Sequence, residues 1–314
     1  MKNIQSCTSK IIVMCGLPCS GKSTKSVELA EKYKATIFSS DELREEMFGD
    51  VNDQTHNQEL FVELHKRIKD CLRSGKSAIY DACNINYKRR MAFLAEIKHI
   101  PCEKICIIMA TPYEECIKRN SERDRKVPEH VITKMYMNFD PPWYYEGWDY
   151  IEIEYTTGIF ASLGWDMDWA EKMQSFNQCN PHHNSSLGDH CINTRKCLDQ
   201  MCEKDGKSIG CELRHAALLH DNGKPFTKTF KNGKGEITEI AHYYSHEHTG
   251  SYDSLFYDIT GLHLYVSVLI RWHMQPYFWE RNNNEKMHNK YKNLWGEQLY
   301  NDIMLLHKAD RNAH

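Results

Sequence analysis

Gly16-Leu-Pro-Cys-Ser-Gly21-Lys22-Ser23-Thr24 has the spacing G-x-x-x-x-G-K-S, a pattern able to wrap a polyphosphate. Its two glycines let successive backbone N–H groups turn inward around phosphate oxygens. Ser20 and Thr24 complete the cradle, Lys22 reaches the β- and γ-phosphates, and the Ser23 hydroxyl can hold Mg²⁺. This loop implies binding of a nucleoside triphosphate, ATP or another. Further on, Asp41 and Arg44 pair a carboxylate with a guanidinium three residues away. The first can orient and deprotonate an attacking hydroxyl, and the second can clamp an acceptor phosphate. Asp41 also reads as a helix N-cap, a role compatible with catalysis. Asp81 can serve the Mg²⁺ shell or the loop serine, and Asn84 can face the acceptor. Arg119 and Arg123, spaced i,i+4, are expected to share a helix face. Two guanidinium groups closing over a transferring phosphoryl would neutralise its equatorial oxygens.

The elements that must place these groups are readable. Ile11 to Cys15 is an apolar strand entering the loop, and a helix follows from Ser26 to Tyr33. Ala35–Phe38, Ser77–Tyr80, Lys104–Ala110 and Tyr150–Tyr155 read as further strands with helical runs between them. That alternation predicts an α/β domain with a parallel sheet, whose ligands lie beyond the carboxyl ends of its strands. Lys88-Arg89-Arg90 reads equally as a solvated helix face or a phosphate contact.

The second half differs. Only four of the seventeen histidines (His56, His65, His99, His130) precede residue 170, so metal chemistry is expected downstream. The polar landmarks there are His190, His220-Asp221, His246, His273 and Asp310, on a mostly helical pattern. His220-Asp221 ends a buried-looking run and precedes Asn222-Gly223-Lys224-Pro225, a helix stop. Neighbouring imidazole and carboxylate at a helix terminus can share one metal, suiting Mn, Fe, Co, Ni or Zn. His182 and His183 lie just past Asn180 and read as substrate contacts or as surface loop. His242 and His248 cannot be told apart from His246 on sequence alone.

Two resemblances follow from these residues. Gly16 to Thr24, Ser40-Asp41-x-x-Arg44, Asp81-x-x-Asn84 and Arg119-Asn-Ser-x-Arg123 with Val127-Pro128 resemble the kinase domain of phage-type polynucleotide 5′-kinases. The resemblance implies Asp41 as general base on a 5′-hydroxyl, Arg44 on the acceptor phosphate, and Arg119 and Arg123 as a lid. The Asp-Ala-Cys-Asn segment at Asp81 fits a broader kinase group. The order His, His-Asp, His, His, Asp, with His-Asp followed by x-Gly-Lys, resembles the HD phosphohydrolase superfamily. It implies His190, His220, Asp221 and Asp310 on one metal, His246 and His273 completing a second, and Lys224 on substrate phosphate. Paired divalent ions suit phosphoryl hydrolysis.

The expected organisation is a P-loop kinase-like domain over 1–160 and an all-α HD-type domain over 161–314. Together the resemblances imply a bifunctional enzyme that heals RNA or DNA ends: triphosphate-dependent phosphorylation of a 5′-hydroxyl, and removal of a 3′-phosphate or 2′,3′-cyclic phosphate. Healed ends suit a ligase, the partner such a repair pathway implies, although no residue encodes it. The alternative is a small-molecule nucleoside or nucleotide kinase joined to a nucleotidase.

Composition limits the remaining classes. A net charge of -3 excludes a globally basic nucleic-acid binder, so any polyanion must meet a local patch. No apolar run approaches the roughly 18 residues of a membrane span, and the N-terminal stretch does not read as a signal peptide. The thirteen cysteines are odd in number and lack a C-x-x-C pair; reduced thiols and a cytoplasmic location are expected.

Overall fold

The computed structural model describes residues 9–157, 173–180, 185–206, 208–257, 263–281 and 284–313. The chain divides into two units, Met1–Ile132 with Pro142–Thr157, and Thr133–Pro141 with Gly158–His314. Sequence gave no sign that 133–141 belongs with the second unit. There the Tyr136 hydroxyl donates to Asp253 Oδ1 at 2.7 Å and Arg271 Nε to Asp140 Oδ1 at 2.6 Å. The expected junction near 160 falls outside the described residues.

The first unit is built on five parallel strands, β1 (Lys10–Cys15), β2 (Thr36–Ser39), β3 (Ala78–Asp81), β4 (Glu103–Ala110) and β5 (Tyr150–Tyr155), in the order β2-β3-β1-β4-β5. β1 is central and buried from Ile11 to Cys15 because helices cover both faces of such a sheet. Ile12, Met14, Ile79, Ile105 and Ile107 pack into one core with Leu29. That Leu comes from helix α1 (Lys22–Tyr33), which follows the P-loop directly. Helices α2 (Ser40–Phe48), α3 (Asn57–Arg73), α4 (Tyr87–Ile97) and α5 (Tyr113–Glu122) make up the rest, and α6 (Glu129–Tyr136) is divided between the two units at Ile132.

Arg90 on α4 is buried whereas Lys88 and Arg89 are exposed, so the solvated-face reading holds for the first two residues of the basic run and not for the third. Its Nε and Nη2 donate to Glu146 at 2.7 and 2.6 Å, both side chains fully buried, and its Nη1 donates to the Asn84 carbonyl at 2.9 Å. A guanidinium so buried requires a bidentate partner, and Glu146 is it.

The second unit has helices α7 (Leu187–Lys204), α8 (Cys211–Leu219), α9 (Lys224–Thr227), α10 (His246–Asp253), α11 (His263–Trp272), α12 (Gln275–Arg281), α13 (Glu285–Trp295) and α14 (Glu297–Asn312). It is helical but not all-α, which corrects that expectation. Strands β6 (Thr229–Lys231) and β7 (Ile237–His242) pair antiparallel around a turn in which Asn232 Oδ1 accepts from Lys234 N and Glu236 N. Among the described residues no helix is long and apolar enough to cross a membrane, and the described cysteines are free thiols.

Candidate active site and metal centre

In the first unit the carboxyl ends of the strands deliver the chemistry. β1 runs into the P-loop, and Gly21 caps α1 at φ +91°, a left-handed conformation that costs a side-chain-bearing residue energy. No side chain caps this helix, so its first N–H groups remain directed at the loop, the arrangement that binds anions. Ser20 Oγ is buried without a hydrogen-bond partner among the described residues, and Lys22 Nζ folds back onto the Leu17 carbonyl at 2.6 Å. A buried hydroxyl, a lysine resting on its own loop and uncapped N–H groups fit a triphosphate. Asp81, at the end of β3, is buried beside Lys22 and Ser23. Burial raises its pKa, and Lys22 and a hydrogen bond from Ser23 offset part of the rise. A carboxylate there fits the Mg²⁺ shell.

β2 ends at Ser39, whose hydroxyl accepts from Glu42 N and caps α2. Asp41 is therefore not the cap. Arg44 Nη1 donates to Asp41 Oδ1 at 3.1 Å and its Nη2 to Asn57 Oδ1 at 3.1 Å. Asn84 faces inward: at φ +45° its Nδ2 donates to the Met14 carbonyl at 2.9 Å, tying its loop to β1. Its Nδ2 therefore serves its own loop and the sheet, to the Met14 and Ala82 carbonyls.

Arg119 and Arg123 do not share a helix face. α5 stops at Glu122, and Arg123 has extended angles. The cause is Asn120, whose side chain donates to the Val127 carbonyl and accepts from Val127 N, both at 2.8 Å, drawing the chain back on itself. Arg119 holds Glu115 at 2.8 Å and Thr156 Oγ1 at 3.3 Å, whereas Arg123 Nη1 lies 3.1 Å from the sulfur of Cys19, inside the P-loop. Arg123 thus reaches the phosphate loop and Arg119 flanks the end of β5.

The second unit gathers six side chains. His190 comes from α7, His220 and Asp221 follow α8, His246 opens α10, His273 follows α11 and Asp310 lies on α14. His190, His220 and Asp310 form one group of potential ligand atoms, and Asp221, His246 and His273 another, each within 4.8 Å. His190 Nε2 and His220 Nε2 are 3.3 Å apart, and His246 Nε2 and His273 Nε2 also 3.3 Å. Asp221 belongs to both groups: Oδ2 is 3.3 Å from His220 Nε2, and Oδ1 is 3.3 Å from His246 Nε2. Sequence had put Asp221 in the first set alone; its carboxylate instead lies between the two.

Three imidazoles are held by one local device. His220, His246 and His273 each turn Nδ1 back onto the carbonyl three residues earlier: Ala217 at 2.9 Å, Tyr243 at 2.7 Å and Ile270 at 2.6 Å. A carbonyl only accepts, so Nδ1 carries the proton, and in the neutral ring Nε2 presents its lone pair to the cluster. Burial, then His220 and His246, push the His273 pKa down to about 3, which keeps its ring neutral. Burial works against a charge on His220, but Asp221 and Asp310 overcome it and hold its pKa well above the usual value. Burial likewise opposes ionised Asp221, yet Lys224 and His220 hold its carboxyl well below the usual range. Imidazole Nε2 atoms and carboxylates facing one another could hold a cation, His220 giving up its proton to it, and this mixture of side chains fits divalent transition metals.

Lys224 Nζ lies 2.7 Å from Asp221 Oδ2 and 3.1 Å from Gln178 Oε1, so it borders the cluster. His242 stacks on Tyr244 and His248 binds the Phe139 carbonyl at 2.9 Å; both stand outside the six. His182 and His183 fall outside the described residues. Sequence reasoning missed Tyr277, whose hydroxyl donates to Asp310 Oδ2 at 3.0 Å, and Gln178; neither carried a spacing signal.

Gly223 admits α10 to this turn. A Cβ there would meet the His246 carbonyl at 2.2 Å, Thr249 Oγ1 at 2.3 Å and Gly250 N at 2.6 Å. Gly223→Ala is expected to cost about 1–3 kcal/mol or more by forcing these backbones apart, read as a lower denaturant midpoint at unchanged m-value.

Residues 11–142 match a family model described as "AAA domain". The first unit has a P-loop kinase fold. The L-seryl-tRNA(Sec) kinase of Methanococcus maripaludis is similar at 30% identity over 47% of this chain and 59% of its own length. Protein kti12 of Schizosaccharomyces pombe is similar at 25% over 44% and 54%. The chain therefore spans somewhat over half of each curated relative. Among solved structures, a "Pnkp1/Rnl/Hen1 RNA repair complex" aligns at 19% identity over 43% of this chain and 45% of that one, with a TM-score of 0.35.

Proposed function

We propose that the chain is a bifunctional enzyme healing nucleic-acid ends, with a 5′-hydroxyl kinase in its first unit and a phosphohydrolase of HD type in its second. The observation that carries the reading is the buried cluster of four histidines and two aspartates, with Asp221 between its halves, in the same chain as a P-loop kinase fold. Cleavage that leaves a 5′-hydroxyl and a 3′- or cyclic phosphate creates two lesions, and these centres suit one each. A relative named as a kinase of L-seryl-tRNA lends support to a hydroxyl acceptor attached to RNA.

In the kinase, ATP or another triphosphate with Mg²⁺ would lie on Gly16, Ser20, Gly21, Lys22, Ser23 and Thr24. The acceptor oxygen attacks the γ-phosphorus, the bond to the β–γ bridging oxygen breaks, and the nucleoside diphosphate leaves. The hydroxyl proton passes to Asp41. Arg44 grips the acceptor, Lys22 and Arg123 neutralise the transferring group, and Asp81 steadies Ser23.

In the second unit, His190, His220 and Asp310 would hold one divalent ion (Mn, Ni, Co, Zn or Fe) and His246 and His273 a second, with Asp221 shared. Such ions supply Lewis-acid charge to phosphoryl oxygens and acidify water. Lys224 binds a substrate phosphate oxygen, while Tyr277 and the main-chain carbonyls fix the ligating side chains. Water adds to phosphorus and the bond to the ribose oxygen breaks, releasing inorganic phosphate from a 3′-phosphate or opening a cyclic diester.

The test is incubation of the full chain with γ-labelled ATP and a short RNA bearing a 5′-hydroxyl and a 3′-phosphate. Label should appear at the 5′ end and inorganic phosphate should be released from the 3′ end. Transfer to free nucleosides with none to RNA would favour a small-molecule kinase instead.

A further inference from the structure

Arg125, in the loop beyond α5, has no part in the reaction above. Its Nη1 lies 3.0 Å from Asp41 Oδ2, while Arg44 holds Oδ1, so both oxygens of the proposed base are ion-paired. A carboxylate in that condition is poorly placed to take a hydroxyl proton until one guanidinium withdraws. Arg44 is the fixed one: its side chain is 7% exposed, on a helix and bonded to Asn57. Arg125 is the movable one. Its side chain is 35% exposed, and its other bonds, to the Val51 carbonyl at 3.3 Å and Asn52 Oδ1 at 3.4 Å, are long. Two guanidinium groups beside one carboxylate leave a net positive charge where the acceptor enters. The group that best satisfies both is a phosphate ester close to the reacting hydroxyl.

We propose that Arg125 is an acceptor-binding residue. It selects hydroxyl acceptors that carry a neighbouring phosphate, and by moving to that phosphate it uncovers Asp41. This inference rests on the kinase reading of the first unit. The contrasting role is a structural strap between the Val51-Asn52 loop and the loop beyond α5. A strap would affect every acceptor alike, whereas an acceptor-binding residue discriminates.

The experiment uses the full chain with ATP and three acceptors: an unphosphorylated nucleoside, a nucleoside 3′-monophosphate and a dinucleotide joined by one phosphodiester. Arg125→Ala should raise KM for the phosphate-bearing acceptors roughly tenfold to a hundredfold, the loss expected for a charge-assisted hydrogen bond, and leave KM for the nucleoside unmoved. Arg125→Lys should lie between, because a point charge replaces a fork. A response confined to the monophosphate assigns a terminal phosphate as the feature read; a response to both assigns the internucleotide phosphate as well. Equal shifts for all three acceptors, or none, overturn the role of Arg125 while leaving the kinase standing. A wild-type chain that phosphorylates none of the three removes the kinase reading and this inference with it.

Discussion

Asp221→Ala is expected to strip the second unit of bound metal and to lower 3′-phosphate release by at least about a hundredfold, since even partners one step removed from a metal cost ten- to a hundredfold. Asp221 has one oxygen 3.3 Å from His220 and the other 3.3 Å from His246, so one substitution injures both halves of the cluster. Elemental analysis of the purified variant beside wild type measures the first effect, and phosphate release the second. The change also leaves Lys224, 6% exposed, without its carboxylate, so some destabilisation accompanies it. Phosphorylation of 5′-hydroxyl ends provides the internal control for folding and should persist. His242→Ala, on a residue stacked against Tyr244 outside the cluster, should retain wild-type metal content. Full metal occupancy in Asp221→Ala would contradict the assigned ligands.

Asp41→Ala should produce the opposite pattern. Removing a general base costs about a hundred- to ten-thousandfold, while nucleotide affinity, which depends on the P-loop, should hold. A single-turnover assay with labelled ATP reads the loss, and a nucleotide-binding titration shows that the cradle is intact. The variant also releases Arg44 and Arg125 from their common partner, so acceptor affinity is expected to be maintained or to tighten. Loss of nucleotide affinity alongside turnover would assign Asp41 to the donor side instead. Phosphate release by the second unit should be unaffected.

The sheet was legible because β1, β3 and β4 are short, mostly apolar runs, β5 alternates, and β2 and β3 end in Ser39 and Asp81, side chains with chemical capacity. Asp81 could be read at a strand end because Ala78-Ile-Tyr80 before it is buried throughout. The six-residue cluster was legible from residue type and order, with no need for contacts. What sequence could not supply was the path of the chain where local interactions override a pattern. The i,i+4 spacing of Arg119 and Arg123 suggested a common face, but the side chain of Asn120 binds Val127 twice and ends the helix between them. Arg90 looked like part of a solvated run because its partner, Glu146, is distant in sequence. The β6–β7 ribbon escaped notice because, among the described residues, it forms a sheet of two strands and leaves Ile237 83% exposed, so no regular apolar alternation marks it.

The imidazole-to-carbonyl clasps at His220, His246 and His273 have a consequence for engineering. Each ring takes its aim from a carbonyl three residues earlier in its own backbone. Local aim of this kind should make the three ring orientations robust to substitutions elsewhere in the unit, an advantage for any redesign of its surface.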